Sequence, residues 1–230
     1  MKPDATAIAA IAFDLDGTLV DSAPDIAFAL NSALSLAGRS AVELAQVRQW
    51  IGDGPDLLIA RALLAQSTLA GAAKSPAPAD LPASLRRDFD AATFSAPLLR
   101  GAVHPDIADT LRILKKARPL MVVTNKPTAL ARDVLQAAGL LPWFTAVYGA
   151  DRAELRKPLP AMLDQAAHDL GLKTAQLLMV GDSTADMSAA KAAGAQAALV
   201  SWGYGHSQAQ SIGTWWLIHR PQQLIDLLQG

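Results

Sequence analysis

Two aspartates stand two residues apart in Asp14–Leu15–Asp16–Gly17–Thr18, directly after the apolar run from Ile8 to Phe13. That run has little helical periodicity and reads as a short buried strand, with Gly17 permitting a sharp departure from it. Two carboxylates at the carboxyl end of a buried strand are costly unless something cationic meets them. In an open α/β sheet, that end of the strands is also where ligands bind. Asp-Gly alone is a common turn pair. A calcium loop also begins Asp-x-Asp, but it needs Gly at its sixth position, where this chain has Leu19.

The complement of this pair appears further along. Thr124–Asn125–Lys126 follows the apolar run Leu120–Thr124, Arg156–Lys157–Pro158 opens a predicted helix, and Gly181–Asp182–Ser183–Thr184–Ala185–Asp186 lies between the run Leu177–Val180 and another predicted helix. Each has a plain reading by itself. Thr124–Asn125 is an ordinary strand-to-loop turn, Lys157 a solvated first-turn residue, Asp182 a helix cap and Asp186 a surface helix residue. Together they gather Asp14, Asp16, Asp182 and Asp186 with a hydroxyl, a lysine and helix N-termini at one sheet edge. Clustered carboxylates repel, and a divalent cation relieves the repulsion. Oxygen ligands without His or Cys favour Mg2+ over zinc. Magnesium is commonly held by one or two carboxylates plus a substrate phosphate, whose other oxygens the lysine, hydroxyl and backbone N–H groups would serve. The set points to phosphoryl transfer.

The elements that must position these groups fall into two textures. Asp25–Leu36, Ala41–Trp50 and Pro55–Ala65 carry apolar residues at helical spacing, Ser84–Ser95 does so more weakly, and Gly71–Ser84 has no periodicity and reads as a mobile loop. From Gly101 the pattern alternates. Helices are predicted over Asp106–Ala117, Ala129–Ala138, Pro158–Leu170, Thr184–Ala193 and Pro221–Leu228, and strands over Leu120–Thr124, Ala146–Tyr148, Leu177–Val180, Ala197–Val200 and, at an edge, Trp215–Ile218. Such alternation means an α/β fold: a Rossmann-like parallel sheet with helices on both faces, here with an all-helical block inserted after the first strand. The predicted organisation is a core over residues 1–20 and 97–230 with a helical cap over residues 21–96.

The chain has 230 residues with 51% hydrophobic and 18% charged residues, enough for a sizeable core. A net charge of -1 offers no case for nucleic acid or an anionic membrane as partner. No cysteine is present, so disulfides and thiolate chemistry are excluded. The N-terminus is too weakly apolar for a signal peptide and nothing approaches a membrane span. The expectation is a cytoplasmic monomer or homodimer acting on a small phosphorylated metabolite.

With these residues in view, the chain resembles the haloacid dehalogenase-like hydrolase superfamily. DLDGT, the Thr after the second strand, the isolated Lys and GDSTAD match its four motifs, and an inserted helical cap marks one of its subgroups. DLDGTLVDSAPD, WIGDGPDLL, VVTNKP, RKPLP and WGYG look like the bacterial phosphoglycolate phosphatases within it. The resemblance implies that Asp14 is a nucleophile forming an aspartyl-phosphate, and Asp16 the acid and base for leaving group and water. It also implies that magnesium is held by the Asp14 side chain, the Asp16 backbone carbonyl and Asp182, with Asp186 orienting a metal-bound water or Lys157. Thr124, the Asn125 backbone N–H and Lys157 would hold the phosphoryl group beside Gly17.

Substrate selection falls to the Trp50–Asp56 turn, where Gly52 and Gly54 would let backbone N–H groups approach a small anion; Arg48 and Arg61 read either as further partners or as solvated helix arginines. Asp16 argues against the dehalogenase branch, which needs no acid there. Phosphonate cleavage needs a cap lysine, and Lys74 is the single lysine between Asp21 and Ser95. A sugar-phosphate phosphatase or phosphomutase shares the motifs, and a non-catalytic phosphate- or metal-binding module is the reading from another class. The serine-hydrolase elbow G-x-S-x-G is approximated at Gly181–Ala185, but its last Gly is Ala and no acid-then-histidine order follows. His104, His168, His206 and His219 are read as structural or surface residues. Trp202–Gly203–Tyr204–Gly205 either closes one side of the pocket or packs.

Overall fold

The computed structural model describes residues 4–69, 81–212 and 216–229. Six parallel strands form the central sheet: β1 (Ala10–Phe13), β4 (Leu120–Thr124), β5 (Ala146–Gly149), β6 (Leu177–Gly181), β7 (Gln196–Val200) and β8 (Trp216–Ile218), in the order β5-β4-β1-β6-β7-β8. Strands β1, β4, β6 and β7 are buried along their whole length, which is why they read as continuous apolar runs. Alternation along each strand sorts side chains between two cores. Ile11, Phe13, Val122, Leu178 and Val180 pack on one face with α5 (Ile107–Leu114), α6 (Thr128–Ala137) and the C-terminal helix α9 (Gln223–Gln229). Ala12, Met121, Val123 and Met179 pack on the other with α7 (Ala161–Asp169) and α8 (Thr184–Ala193). From β1 the chain order runs outward through β4 and β5 on one side and through β6, β7 and β8 on the other. The strand order therefore reverses at β1, and the crevice at its carboxyl end is where such sheets take ligands.

Four helices follow β1: α1 (Ala23–Leu36), α2 (Leu44–Trp50), α3 (Pro55–Leu69) and α4 (Ala83–Ser95). They enclose a core of their own, with Leu30, Leu34, Val47, Ile59, Leu63, Leu85 and Phe89 buried together. The expected Gly71–Ser84 loop lies mostly outside the described residues, as does Lys74; its last two residues begin α4.

Where the chain enters and leaves this helical unit it forms a small antiparallel pair, β2 (Val20–Asp21) with β3 (Ala102–Val103). Two residues on each strand are too few for a periodic signal in the sequence. Across the same junction the buried Asp25 carboxylate accepts the N–H groups of Leu99 (3.0 Å), Arg100 (2.8 Å) and Gly101 (2.7 Å). The helix expected from Pro158 starts instead at Ala161, so Lys157 sits in the turn ahead of α7. Pro160 explains the delay, because the residue before a proline is disfavoured in helical conformation. Strand β8 is at the sheet edge, as its sequence predicted. Among the described residues no helix is long and apolar enough to cross a membrane.

Candidate active site

Asp14 is the first residue beyond β1, and its N–H still donates to Val180 O at 2.8 Å. That bond extends the β1–β6 ladder by one residue and turns the carboxylate out at the sheet edge. There it meets Lys157, whose Nζ lies 2.9 Å from Asp14 Oδ1, 2.6 Å from Asp186 Oδ1 and 2.8 Å from Val123 O. An ammonium has three protons, and these three acceptors match them. Asp186 is fully enclosed in the first turn of α8. Its Oδ2 accepts from Ser183 N (2.9 Å) and Ser183 Oγ (2.6 Å), so Ser183, not Asp182, caps that helix.

Asp182 is free for another task. Its Oδ1 accepts the Thr18 hydroxyl at 3.1 Å, and its Oδ2 the N–H groups of Tyr204 at 2.7 Å and Gly205 at 3.2 Å. Carboxylate oxygens of Asp14, Asp182 and Asp186 lie within 4.8 Å of one another, all three residues buried. Gly17 adjoins this cluster with a φ of 86°, and a Cβ there would lie 2.8 Å from Asp182 Oδ2. Only glycine meets both demands.

Burial and mutual repulsion perturb the charges of this cluster. Burial pushes the Asp14 carboxyl up to about 7, the Asp186 charge adds to the rise, and Lys157 opposes it. Burial likewise pushes Asp182 up to about 7, reinforced by Asp186 and opposed by the Gly205 and Tyr204 N–H groups. Lys157 is drawn down by its own burial, but the attraction of Asp14 and Asp186 outweighs this and raises it, keeping the ammonium charged. Once all three carboxyls are ionised, the single Lys157 ammonium leaves two negative charges uncompensated. A hard divalent cation fits both that charge and an all-oxygen donor set.

Asp16 does not join the three. Its Oδ1 accepts from Ser22 Oγ and its Oδ2 from Lys126 Nζ at 2.9 Å, while an Asp16–Val20 bridge and the bond from Gly17 N to Val20 O (2.8 Å) hold its backbone in a tight loop. Thr124 is buried at the end of β4. The Asn125 side chain clamps the Lys157 turn, accepting from Lys157 N (2.8 Å) and donating to Lys157 O (3.0 Å). It also donates to Gly52 O at 2.9 Å, so that one amide ties the sheet edge to the helical unit.

Between sheet edge and helices lies a cavity of about 60 Å³. Asp14, Asp16, Thr124, Asn125 and Lys126 line its floor, Gly52 and Gly54 its roof, with Leu58 and Phe89 among its apolar walls. At about 10–15 Å³ per water it has room for roughly four to six waters, which suits a small molecule. Gly52 and Gly54 have φ of 122° and 90°, which the turn needs glycine to adopt. Arg156 pairs with Asp56 of α3 at 2.8 Å, a second tie to the helices.

Both predicted anion partners in the helical unit are engaged elsewhere. Arg48 pairs with Asp21 at 2.8 Å, while Arg61 pairs with Asp53 and donates to Trp50 O at 2.9 Å. The sequence reading missed the grip of Lys126 and Ser22 on Asp16. The available signal was a lysine two residues beyond Thr124 at a strand end. The WGYG stretch both packs and serves the site, through the Tyr204 and Gly205 N–H groups on Asp182.

A family model described as haloacid dehalogenase-like hydrolase matches residues 8–194. The chain is 40% identical over 199 residues to the phosphoglycolate phosphatase of Vibrio cholerae serotype O1, covering 86% of each. It is 38% identical over 234 residues to the phosphoglycolate phosphatase of Escherichia coli K12, covering 96% of this chain and 91% of that one. The crystal structure of a predicted phosphoglycolate phosphatase from Haemophilus somnus 129pt is similar with a TM-score of 0.87 at 30% identity, covering 96% of this chain and 98% of that one.

Proposed function

We propose, from the premise that this chain belongs to the haloacid dehalogenase-like hydrolase family, that its phosphatase activity is magnesium-dependent and runs through a phosphorylated Asp14, with 2-phosphoglycolate as substrate. The observation that carries the reading is Lys157 Nζ within 2.9 Å of Asp14 Oδ1 and 2.6 Å of Asp186 Oδ1, in a buried cluster with Asp182.

The Asp14 and Asp182 side chains and the Asp16 backbone carbonyl would hold the cation, with Asp186 and Lys157 beside them. When bound, it supplies positive charge to the phosphoryl oxygens and offsets carboxylate–phosphate repulsion. Lys157, the Thr124 hydroxyl and the Asn125 N–H orient the phosphoryl group beside Gly17, with Gly52 and Gly54 closing over it. A carboxylate oxygen of Asp14 attacks phosphorus as the ester P–O bond breaks, and Asp16 gives its proton to the leaving oxygen. Asp16 then takes a proton from water as that water attacks phosphorus, releasing inorganic phosphate and restoring Asp14. The helices of residues 21–96 act as a cap over a core of residues 1–20 and 97–230, opening about the β2–β3 junction to admit substrate and closing to exclude water.

The test is phosphate release from a panel of phosphorylated metabolites with Mg2+, run beside Asp14→Asn and an assay for isomerised sugar phosphate. Release from 2-phosphoglycolate above the rest, abolished in the variant and without isomerisation, supports the reading. Preferred turnover of a sugar phosphate or net isomerisation overturns the substrate assignment.

A further inference from the structure

We propose that Lys126 recognises a carboxylate on the substrate, so that the site selects phosphomonoesters bearing an anion on the carbon next to the ester oxygen. The inference rests on the phosphatase reading above and extends it to the residue that sets specificity.

The leaving-group oxygen must come within hydrogen-bond reach of the Asp16 carboxyl group, so whatever that oxygen carries lies beside Asp16. In 2-phosphoglycolate it carries a methylene and then a carboxylate, whose oxygens lie about 3 to 4 Å from the ester oxygen by covalent geometry. The cation beside Asp16 is Lys126, its Nζ 2.9 Å from Asp16 Oδ2.

Lys126 is also the one cation among the described residues lining the cavity. Its side chain is only 7% exposed, so it meets ligands in a setting where a charge-assisted bond is strong. Its ammonium has three protons and, among the described residues, Asp16 is its one side-chain partner, which leaves capacity for a second anion. The other nearby cations do not line the cavity, and Lys157 is reserved for the phosphoryl group. Lys157 donates to Asp14, Asp186 and Val123 O, Arg48 pairs with Asp21, Arg61 with Asp53, and Arg156 with Asp56. Ser22 keeps its hold on the other Asp16 oxygen, so Asp16 stays oriented when Lys126 turns to substrate.

The experiment compares wild type, Lys126→Met and Lys126→Arg on 2-phosphoglycolate and on ethyl phosphate, which lacks the carboxylate. Alongside, calorimetry measures binding of the non-hydrolysable 3-phosphonopropionate and of propylphosphonate, with Mg2+ present. Wild type is expected to prefer the carboxylate-bearing member of each pair by about tenfold or more. Lys126→Met lowers kcat/KM on both esters, because Asp16 loses its partner, but lowers it about tenfold further on 2-phosphoglycolate and so erases the preference, and Lys126→Arg restores part of that difference.

Equal losses on both esters, or an unchanged binding preference in Lys126→Met, overturn the inference and leave the phosphatase reading intact. A binding preference that depends on Lys126 in a protein that hydrolyses neither ester would leave the inference standing and remove the catalytic reading.

Discussion

Asp14 and Asp182 are held where burial and a third carboxylate oppose their ionisation, and two predictions follow at that scale. An aspartic acid normally titrates near 3.8, whereas both are pushed up to about 7 in the folded, cation-free chain. Between those values the native state binds more protons than the unfolded chain, so stability falls as pH rises through that window and levels off above it. The melting temperature in EDTA should therefore drop from pH 4.5 to pH 7.5. Millimolar Mg2+ should raise it more at pH 7.5 than at pH 4.5, where protons compete for the same oxygens. A cation-free protein whose stability climbs across that range would contradict the charge count.

The second concerns Asp14→Asn, which keeps shape but removes nucleophile and charge. Turnover should fall by about 10⁴-fold or more, read as phosphate release. Metal-free stability at pH 7.5 should hold or rise, because one buried repulsion is gone. Loss of both activity and fold would show that the residue is structural.

Among the elements, the junction between helical unit and sheet has most at stake. Strands β2 and β3 contribute only a short ladder, so the Asp25 carboxylate, with three backbone N–H groups on the returning segment, carries much of the joint. Asp25→Ala strands these donors and should cost about 2–4 kcal/mol in urea unfolding. Asp25→Asn, which retains one acceptor oxygen, should recover part of the loss. Gly101 shares the constraint, since a Cβ there would lie 2.2 Å from Asp21 O. The α8 N-terminus illustrates division of labour: Ser183 and Asp186 satisfy the helix end mutually, which leaves Asp182 for the site.

Across the whole molecule, away from the Asp25 junction, the ties between helical unit and sheet edge among the described residues include Asn125 to Gly52 O, Arg156 to Asp56, and the Ala23 N–H to the Tyr204 hydroxyl oxygen. Arg156 and Asp56 are each about a quarter exposed, so their pair is screened and worth about 1 kcal/mol or less. Arg156 Nε is buried without a partner among the described residues, which makes release cheaper still. A weak latch suits the opening and closing that the proposed function asks of this unit. Arg156→Ala should raise KM for the substrate about two- to fivefold with a smaller effect on kcat, and added salt should produce the same trend in wild type. A collapse of kcat with KM unchanged would place Arg156 in the chemistry instead.

The parallel α/β sheet, the helical insertion and the placing of four motifs at strand or helix ends are readable from the chain alone, because each motif adjoins its own strand or helix and apolar runs are local signals. Asp14, Lys157, Asp182 and Asp186 were legible for that reason. Only the folded chain reveals that Lys126 and Ser22 grip Asp16, that Asn125 reaches Gly52, that Tyr204 and Gly205 turn their N–H groups to Asp182, and that two two-residue strands close the junction. Most of these pairings join segments distant in the chain, Lys126 and Asp16 being 110 residues apart. They exist only because packing of helices on the sheet sets distances that no local spacing encodes.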